Sequence, residues 1–198
     1  MEPVRVITGT ALPLDRSDVD TDQIIPSAWL KRVERTGFGE GLFEAWRRDP
    51  GFVLNRPEHQ GATILVAGPN FGTGSSREHA VWALTDYGFR AVVAPRFGDI
   101  FRNNATKAGL VPAVVDPAAG RALLDAVLAD PGLLVTVDVE RGLVEAPTAG
   151  LQAPFPLDEF TRERLVQGLD DIGITLRHED EIQAFEAGRP AWLPVTTG

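Results

Sequence analysis

Cysteine is absent from this 198-residue chain, methionine and tyrosine occur once each, and histidine occurs three times. Without thiolates the chain cannot form a disulfide or ligate an iron–sulfur cluster. The histidines, His59, His79 and His178, are too far apart in sequence to suggest a conventional soft-metal site. There is no apolar run of about 18 residues and no signal-peptide pattern, so a soluble, cytoplasmic protein is expected. Positive charge is also scarce: 19 Lys and Arg stand against 28 Asp and Glu, a formal net charge of -9. Phosphate backbones are bound by basic faces, so nucleic acid is excluded as an expected partner, and any small anion must be held by a few local groups. At 43% hydrophobic residues, the chain can build one compact core, or one core with a small C-terminal appendage.

The most informative stretch present is Gly72-Thr73-Gly74-Ser75-Ser76-Arg77-Glu78-His79-Ala80. It lies between an apolar, β-branched run at 62–68, which reads as a buried strand, and a segment at 77–87 with Ala80, Val81, Leu84 and Tyr87 on one helical face. Glycines at such a junction allow positive φ and close approach of a ligand to the backbone. The first turn of the helix adds unpaired N–H groups and a partial positive charge, which together favour an anion. Arg77 offers a fork of donors matched to a carboxylate. Ser75 or Ser76 could hydrogen-bond a substrate hydroxyl, or take a proton where the surroundings lower the serine pKa. The competing structural reading is a capping box, Ser75 with Glu78 three residues later, which would start any helix.

The string Gly-Ser-Ser-Arg-Glu-His-Ala resembles the active-site loop signature of the swivelling domain in the aconitase superfamily. The resemblance implies that Ser75 acts as the base on the substrate carbon and that Arg77 grips a substrate carboxylate, with Gly74 and Ser76 as further substrate contacts. Members of that superfamily work through an iron–sulfur cluster, which this cysteine-free chain cannot hold. The resemblance therefore implies a second polypeptide, a large subunit carrying a 4Fe–4S cluster, and a heterodimer.

A second block runs Asp18-Val19-Asp20-Thr21-Asp22-Gln23-Ile24-Ile25-Pro26 and on to Trp29-Leu30-Lys31-Arg32. Three alternate aspartates open an EF-hand-like pattern, but Gln23 stands where that loop needs glycine and Pro26 interrupts it. The ordinary alternative is Asx-turns and a capped short helix. Aconitases carry a similar Thr-Asp element followed by Trp-Leu-Lys, and by that resemblance Asp22 belongs to the active site, orienting the arginine or the serine. Lys31 joins the substrate-binding set on the same ground. Two positions after the lysine, where aconitase has a citrate-binding arginine, this chain has Val33. A valine packs against an alkyl branch and cannot pair with a carboxylate, which matches an isopropyl-bearing substrate. The alternatives are an ordinary packing role for Val33, or a loop register that restores Arg32 or Arg35.

The remaining pattern predicts a strand at 91–95, a helix at 97–107 stopped by Gly109, a strand at 110–115 and a helix at 117–129 with Pro117 in its first turn. A hairpin is expected from 133–139 and 143–146 around Arg141-Gly142. Asp99, Asn103 and Asn104 at the strand-to-helix junction read as capping or solvent-facing groups and stay outside the catalytic set. Strands separated by helices imply an α/β sandwich, with a β-rich margin at 4–8 and in the hairpin. Neither a Rossmann nor a Walker glycine pattern is present, nor a Gly-x-Ser-x-Gly elbow. The fold the resemblance implies is the swivelling β/β/α sandwich of the aconitase C-terminal domain, spanning 1–150. After it, Ala153-Pro154-Phe155-Pro156 reads as a linker into a helical C-terminal extension, 151–198, with helices at 157–168 and 178–187, packed on the domain or on the partner.

The tail sequence Gly168-Leu169-Asp170-Asp171-Ile172-Gly173-Ile174-Thr175-Leu176, followed by His178-Glu179-Asp180, resembles the bacterial 3-isopropylmalate dehydratase small-subunit family within that superfamily. This implies a hydro-lyase subunit, active only with its large subunit, that interconverts 2- and 3-isopropylmalate by dehydration and rehydration in leucine biosynthesis. The alternatives are a related hydro-lyase acting on homoaconitate, citraconate or methylmalate, and a non-catalytic anion-binding domain.

Overall fold

The computed structural model describes residues 1–31, 36–75, 77–190 and 192. In chain order its elements are β1 (Val6–Leu14), α1 (Thr21–Ile24), α2 (Glu44–Arg47), β2 (Ile64–Ala67), α3 (Glu78–Tyr87), β3 (Ala91–Ala94), α4 (Asp99–Ala108), β4 (Val111–Val114), α5 (Pro117–Ala129), β5 (Leu134–Asp138), β6 (Leu143–Ala146), β7 (Leu151–Pro154), α6 (Glu159–Gln167), α7 (Asp171–Leu176) and α8 (Glu179–Ala187). Short 3-10 turns, Ser27–Lys31, Phe38–Gly41, Val53–Asn55 and Pro57–His59, occupy much of the span between α1 and β2. The strands form one sheet in the order β4-β3-β2-β1-β5-β6-β7.

Strand β1 is the hinge of this sheet. Its first part, Val6 to Thr10, pairs antiparallel with β5, and its second part, Ala11 to Leu14, pairs parallel with β2. A parallel half, β1 to β4, and an antiparallel half, β5 to β7, are thus joined through one strand, which is how a two-part β sandwich arises from a single sheet. Pro13 lies beyond the residues of β1 that pair with β5, beside Val66 of β2. Its missing N–H therefore interrupts no ladder on the β5 side.

Alternation along the parallel strands sorts their side chains into two cores. Leu12, Leu14, Leu65, Ala67, Val92 and Ala94 face one core with Ala80, Val81, Ala83 and Leu84 of α3 and Phe101 and Ala105 of α4. Ala11, Ile64, Val66, Ala91 and Val93 face the other with Leu123, Leu124 and Val127 of α5 and Val135, Val137 and Val144 of the antiparallel strands. Burial on both faces explains why β2 and β3 read as continuous apolar runs. Each fully buried Leu or Ile contributes about 1.5–3 kcal/mol of transfer free energy. Helices α3 and α4 cross between successive parallel strands on one face, and α5 returns over the other, packing on β1, β2, β3 and β7.

The consequence for function is topological. Strands β1, β2 and β3 are parallel neighbours, so the segments leaving them at 15–20, 68–77 and 95–98 emerge from the same edge. Open α/β sheets place ligand sites at such carboxyl ends. The three segments are stitched together by bridges between Asp20 and Thr73 and between Phe71 and Phe97, and by backbone bonds from Gly72 to Val19 (2.7 Å), Phe71 to Arg96 (3.0 Å) and Gly98 to Phe71 (2.9 Å).

Helix α5 and the β5–β6 hairpin fall where the sequence predicts them. Two expectations change. The β-rich segment expected at the sheet margin is the nine-residue β1, central in strand order; the expectation stopped at residue 8 because Gly9 and Pro13 masked its continuation. Residues 151–154, expected to open the C-terminal extension and at 153–154 its linker, form β7, paired with β6 from Ala146↔Leu151 to Leu143↔Pro154. Proline is tolerated there because β7 is an edge strand. The helical extension therefore starts at α6. It is tied down where Val4 N–H bonds the Leu165 carbonyl (2.8 Å) and where Asp171 of α7 meets Lys107 of α4 (3.1 Å); within the extension Asp171 also meets Arg164 of α6 (2.6 Å). Helix α8 buries none of its residues.

Candidate active site

The loop between β2 and α3 is shaped by two glycines in left-handed conformations, Gly72 at φ 73° and Gly74 at φ 90°. At Gly72 a Cβ would stand 2.3 Å from the Phe101 ring, so the loop and α4 approach as closely as glycine allows. Helix α3 begins only at Glu78; its N-cap position is Arg77, in extended conformation and with no side-chain cap. The Ser75–Glu78 capping box is thus not what starts this helix. Ser75 lies exposed, two residues before the N-cap, beside the partial positive charge of the first turn.

The three alternate aspartates take three separate roles, which is why they do not make a calcium loop. Asp18, at φ 55°, accepts a hydrogen bond from Asn70 Nδ2 at 2.7 Å. Asp20 caps α1 by accepting from Gln23 N–H at 2.7 Å, while the Gln23 side chain accepts from Asp20 N–H at 2.9 Å, a reciprocal capping box. Asp22, in the first turn of α1, forms a charge-assisted hydrogen bond and ion pair with Arg77 Nη1. Among the described residues no group of three or more His, Cys, Asp or Glu is arranged to hold a metal ion.

The Asp22–Arg77 pair is the centre of the site. It joins residues 55 apart in sequence, and the Arg77 side chain is only 16% exposed against 56% for Asp22. A half-buried guanidinium held at one side by a carboxylate is fixed in orientation, and its five donors in a planar fork remain compatible with a second carboxylate. Gly74 lies over Asp20 and Thr21, where a Cβ would meet Asp20 Cβ at 3.5 Å and Thr21 Oγ1 at 3.6 Å. Lys31 is exposed at the last position of the Ser27–Lys31 turn. The other two substrate-binding candidates, Ser76 and Val33, lie outside the described residues.

Several contacts around these residues carry no signature in the sequence. Thr21, 2% exposed, bonds the loop twice, at the Thr73 and Ser75 carbonyls. Phe38, just past 32–35, packs edge-on to His79 at 5.3 Å between ring centroids, and its N–H donates to Asp86 Oδ2 at 2.8 Å. Upstream, Trp29 Nε1 donates to Glu44 Oε2 at 2.6 Å. Trp29 and Phe38, the described residues on either side of 32–35, are thus both held, Phe38 by α3 itself. Burial holds the His79 imidazole below the usual histidine range, with the neighbouring Glu78 opposing that shift.

A glycine-shaped loop at the carboxyl edge of a parallel half-sheet that is continued by an antiparallel half defines an α/β domain of the aconitase C-terminal class, and the family model described as the aconitase C-terminal domain matches residues 1–118. The chain belongs, more narrowly, to the family of 3-isopropylmalate dehydratase small subunits. The C-terminal domain model of that small subunit matches residues 171–198. A 3-isopropylmalate dehydratase small subunit of a Parafrankia species is 64% identical over 196 residues, covering 99% of this chain and 100% of the relative. That of Acidothermus cellulolyticus is also 64% identical, covering 99% and 98%, and that of Rubrobacter xylanophilus is 59% identical, covering 98% of both. A crystal structure of 3-isopropylmalate dehydratase from Methanocaldococcus jannaschii superposes with a TM-score of 0.67 at 28% identity, over 91% of this chain and 99% of that one.

Proposed function

We propose that this chain is the small subunit of a 3-isopropylmalate dehydratase, a hydro-lyase that removes water from 2-isopropylmalate and returns it at the neighbouring carbon. The full-length relatives carry that name, and the reaction is a step of leucine biosynthesis. The observation that carries the mechanistic reading is the ion pair between Asp22 and Arg77 at the sheet's carboxyl edge. Arg77 clamps a substrate carboxylate, Asp22 holds the guanidinium in place, and Ser75 takes the proton from the substrate carbon. Gly74 gives the substrate access to the backbone, while Ser76, Lys31 and Val33 complete the binding surface, with Val33 against the isopropyl group.

Serine is a poor base in water, so the role of Ser75 requires a dry, electropositive pocket. In this chain alone Ser75 is exposed, which supports a large subunit that closes over it. The donor set of this chain does not fit an iron–sulfur cluster, since the sequence contains no cysteine. In this reading the 4Fe–4S cluster belongs to the large subunit, the assembly is a heterodimer, and it works in the cytoplasm with other soluble biosynthetic enzymes. The deciding experiment is co-expression with the candidate large subunit and anaerobic assay with 2-isopropylmalate, homocitrate, citrate and citramalate. Turnover of 2-isopropylmalate well above the others is expected. Preference for another substrate moves the chain to a related hydro-lyase, and no turnover of any leaves an anion-binding domain.

A further inference from the structure

The hydroxyl of Thr21 donates a hydrogen bond to the backbone carbonyl of Ser75 at 3.0 Å. The backbone N–H of the same residue donates to the carbonyl of Thr73 at 2.9 Å. Thr21 is 2% exposed and stands at the start of α1, immediately before Asp22 and immediately after the Asp20 cap. Gly74, between the two accepted carbonyls, is at φ 90° with Thr21 Oγ1 3.6 Å from its notional Cβ. One residue thus holds the loop at two carbonyls, 73 and 75, on either side of the glycine that would otherwise let it swing.

We infer that Thr21 is the positioning residue of the serine loop, setting the place of Ser75 relative to Arg77 through its hydroxyl bond to the Ser75 carbonyl. The inference rests on the proposed role of Ser75. The physical ground is that the loop's other ties, the Gly72 and Thr73 N–H bonds to the Val19 carbonyl and the packing of Gly72 on Phe101, stop at residue 73, while Ser75 is exposed and helix α3 has no side-chain cap. The donor side of the bond belongs to a residue only 2% exposed, which limits competition from water. Because Asp22 follows in the same turn and binds Arg77, the serine carbonyl and the arginine guanidinium are referenced to adjacent residues of α1.

The test uses Thr21→Val, which keeps the shape and loses the hydroxyl, and Thr21→Ser, which keeps the hydroxyl, each in the complete heteromeric enzyme assembled with its large subunit. Thr21→Val should lower kcat about tenfold to a hundredfold, the cost of misplacing a reacting group by about 1 Å, with KM changed much less. Thr21→Ser should recover most of that loss. In a Ser75→Ala background, Thr21→Val should add almost nothing, since a residue acting through another is not additive with it. Amide exchange of the peptide covering 72–80 should rise in Thr21→Val, a readout that does not depend on turnover. Unchanged exchange in that peptide, or equal damage from Thr21→Ser and Thr21→Val, overturns the proposal. If instead Ser75→Ala keeps full activity while exchange rises as expected, the loop lock stands and it is the serine's role that fails.

Discussion

In the proposed site, the Asp22–Arg77 pair calls for a guanidinium rather than a lysine of the same charge. The ion pair fixes one side of a planar fork, and a flexible ammonium cannot both pair with Asp22 and grip a carboxylate bidentately. Arg77→Lys should therefore cost roughly 2–5 kcal/mol of transition-state stabilisation, measured as the fall in kcat/KM of the reconstituted enzyme. Near-normal kinetics would reassign Arg77 to structure. Ser75→Ala should depress kcat by about 10²–10⁴-fold, the range of general acid–base contributions, with thermal stability nearly unchanged because Ser75 caps nothing. A different single-residue effect concerns His59, 4% exposed, whose Nδ1 is buried without a hydrogen-bond partner. Burial, partly opposed by Glu58, holds its pKa below 6.5. The unfolded chain then binds the extra proton first, so this contribution to stability is complete above the unfolded value and is lost as pH falls through it toward the folded pKa. Melting temperature should drop on going from pH 7.5 to pH 5.5, and more shallowly in His59→Gln; parallel pH profiles would show that this histidine does not contribute.

The β2–α3 loop and helix α4 act as a unit, because the Phe101 ring fills the space a side chain would need at Gly72. Gly72→Ala brings two penalties together: a left-handed backbone at φ 73° that alanine resists, costing more than about 1 kcal/mol, and overpacking against Phe101 worth about 1–3 kcal/mol. Denaturant titration should show that combined loss. Combining Gly72→Ala with Phe101→Leu should relieve the packing part only, and full recovery in the pair would mean that the backbone conformation costs nothing. By the same logic α1, only four residues long, depends on its reciprocal Asp20–Gln23 cap. Asp20→Ala should destabilise by about 0.5–2 kcal/mol and loosen the residues that carry Asp22 and Thr21.

Across the whole molecule, the C-terminal extension is joined to the sandwich by Leu165 of α6, buried in the second core, by the Val4–Leu165 backbone bond, and by charge around α7. Asp171 accepts from Lys107 and from the buried Arg164, which together hold its carboxyl below the usual aspartate range. A depressed carboxylate stabilises the fold above the unfolded pKa and ceases to as pH falls through the folded value. Asp171→Asn should thus lower the melting temperature at pH 7 and leave it nearly unchanged in strong acid, with the difference shrinking at high salt. Equal losses at both pH values would point to packing instead. Assembly is testable at the same level: iron–sulfur reconstitution of the purified chain alone should give no cluster absorbance, and activity should appear only on adding the large subunit. A cluster bound by the isolated chain would remove the basis for the proposed division of labour.

Much of this protein is written locally. Helix α5 could be read to its end residues because Pro117 and a continuous apolar periodicity are short-range signals, and the strands β2 and β3 because burial on both faces demands unbroken apolar runs. The serine loop was legible for the same reason, since glycines and a helix start occur in contiguous sequence. The composition by itself leaves the chain without a thiolate ligand for a cluster. What no local pattern contains is which elements become neighbours. The central place of β1 follows from its pairing with β5 at one end and β2 at the other, partners more than 120 and 50 residues away in register. The duties of Asp18 and Asp22 follow from Asn70 and Arg77 arriving from more than 50 residues away, whereas the Asp20–Gln23 cap is a local signal of the capped short helix. Thr21 could not be singled out at all, because a threonine's importance here lies in two carbonyls more than 50 residues downstream, and a hydrogen bond across that separation exists only once parallel strands bring the loops to one edge.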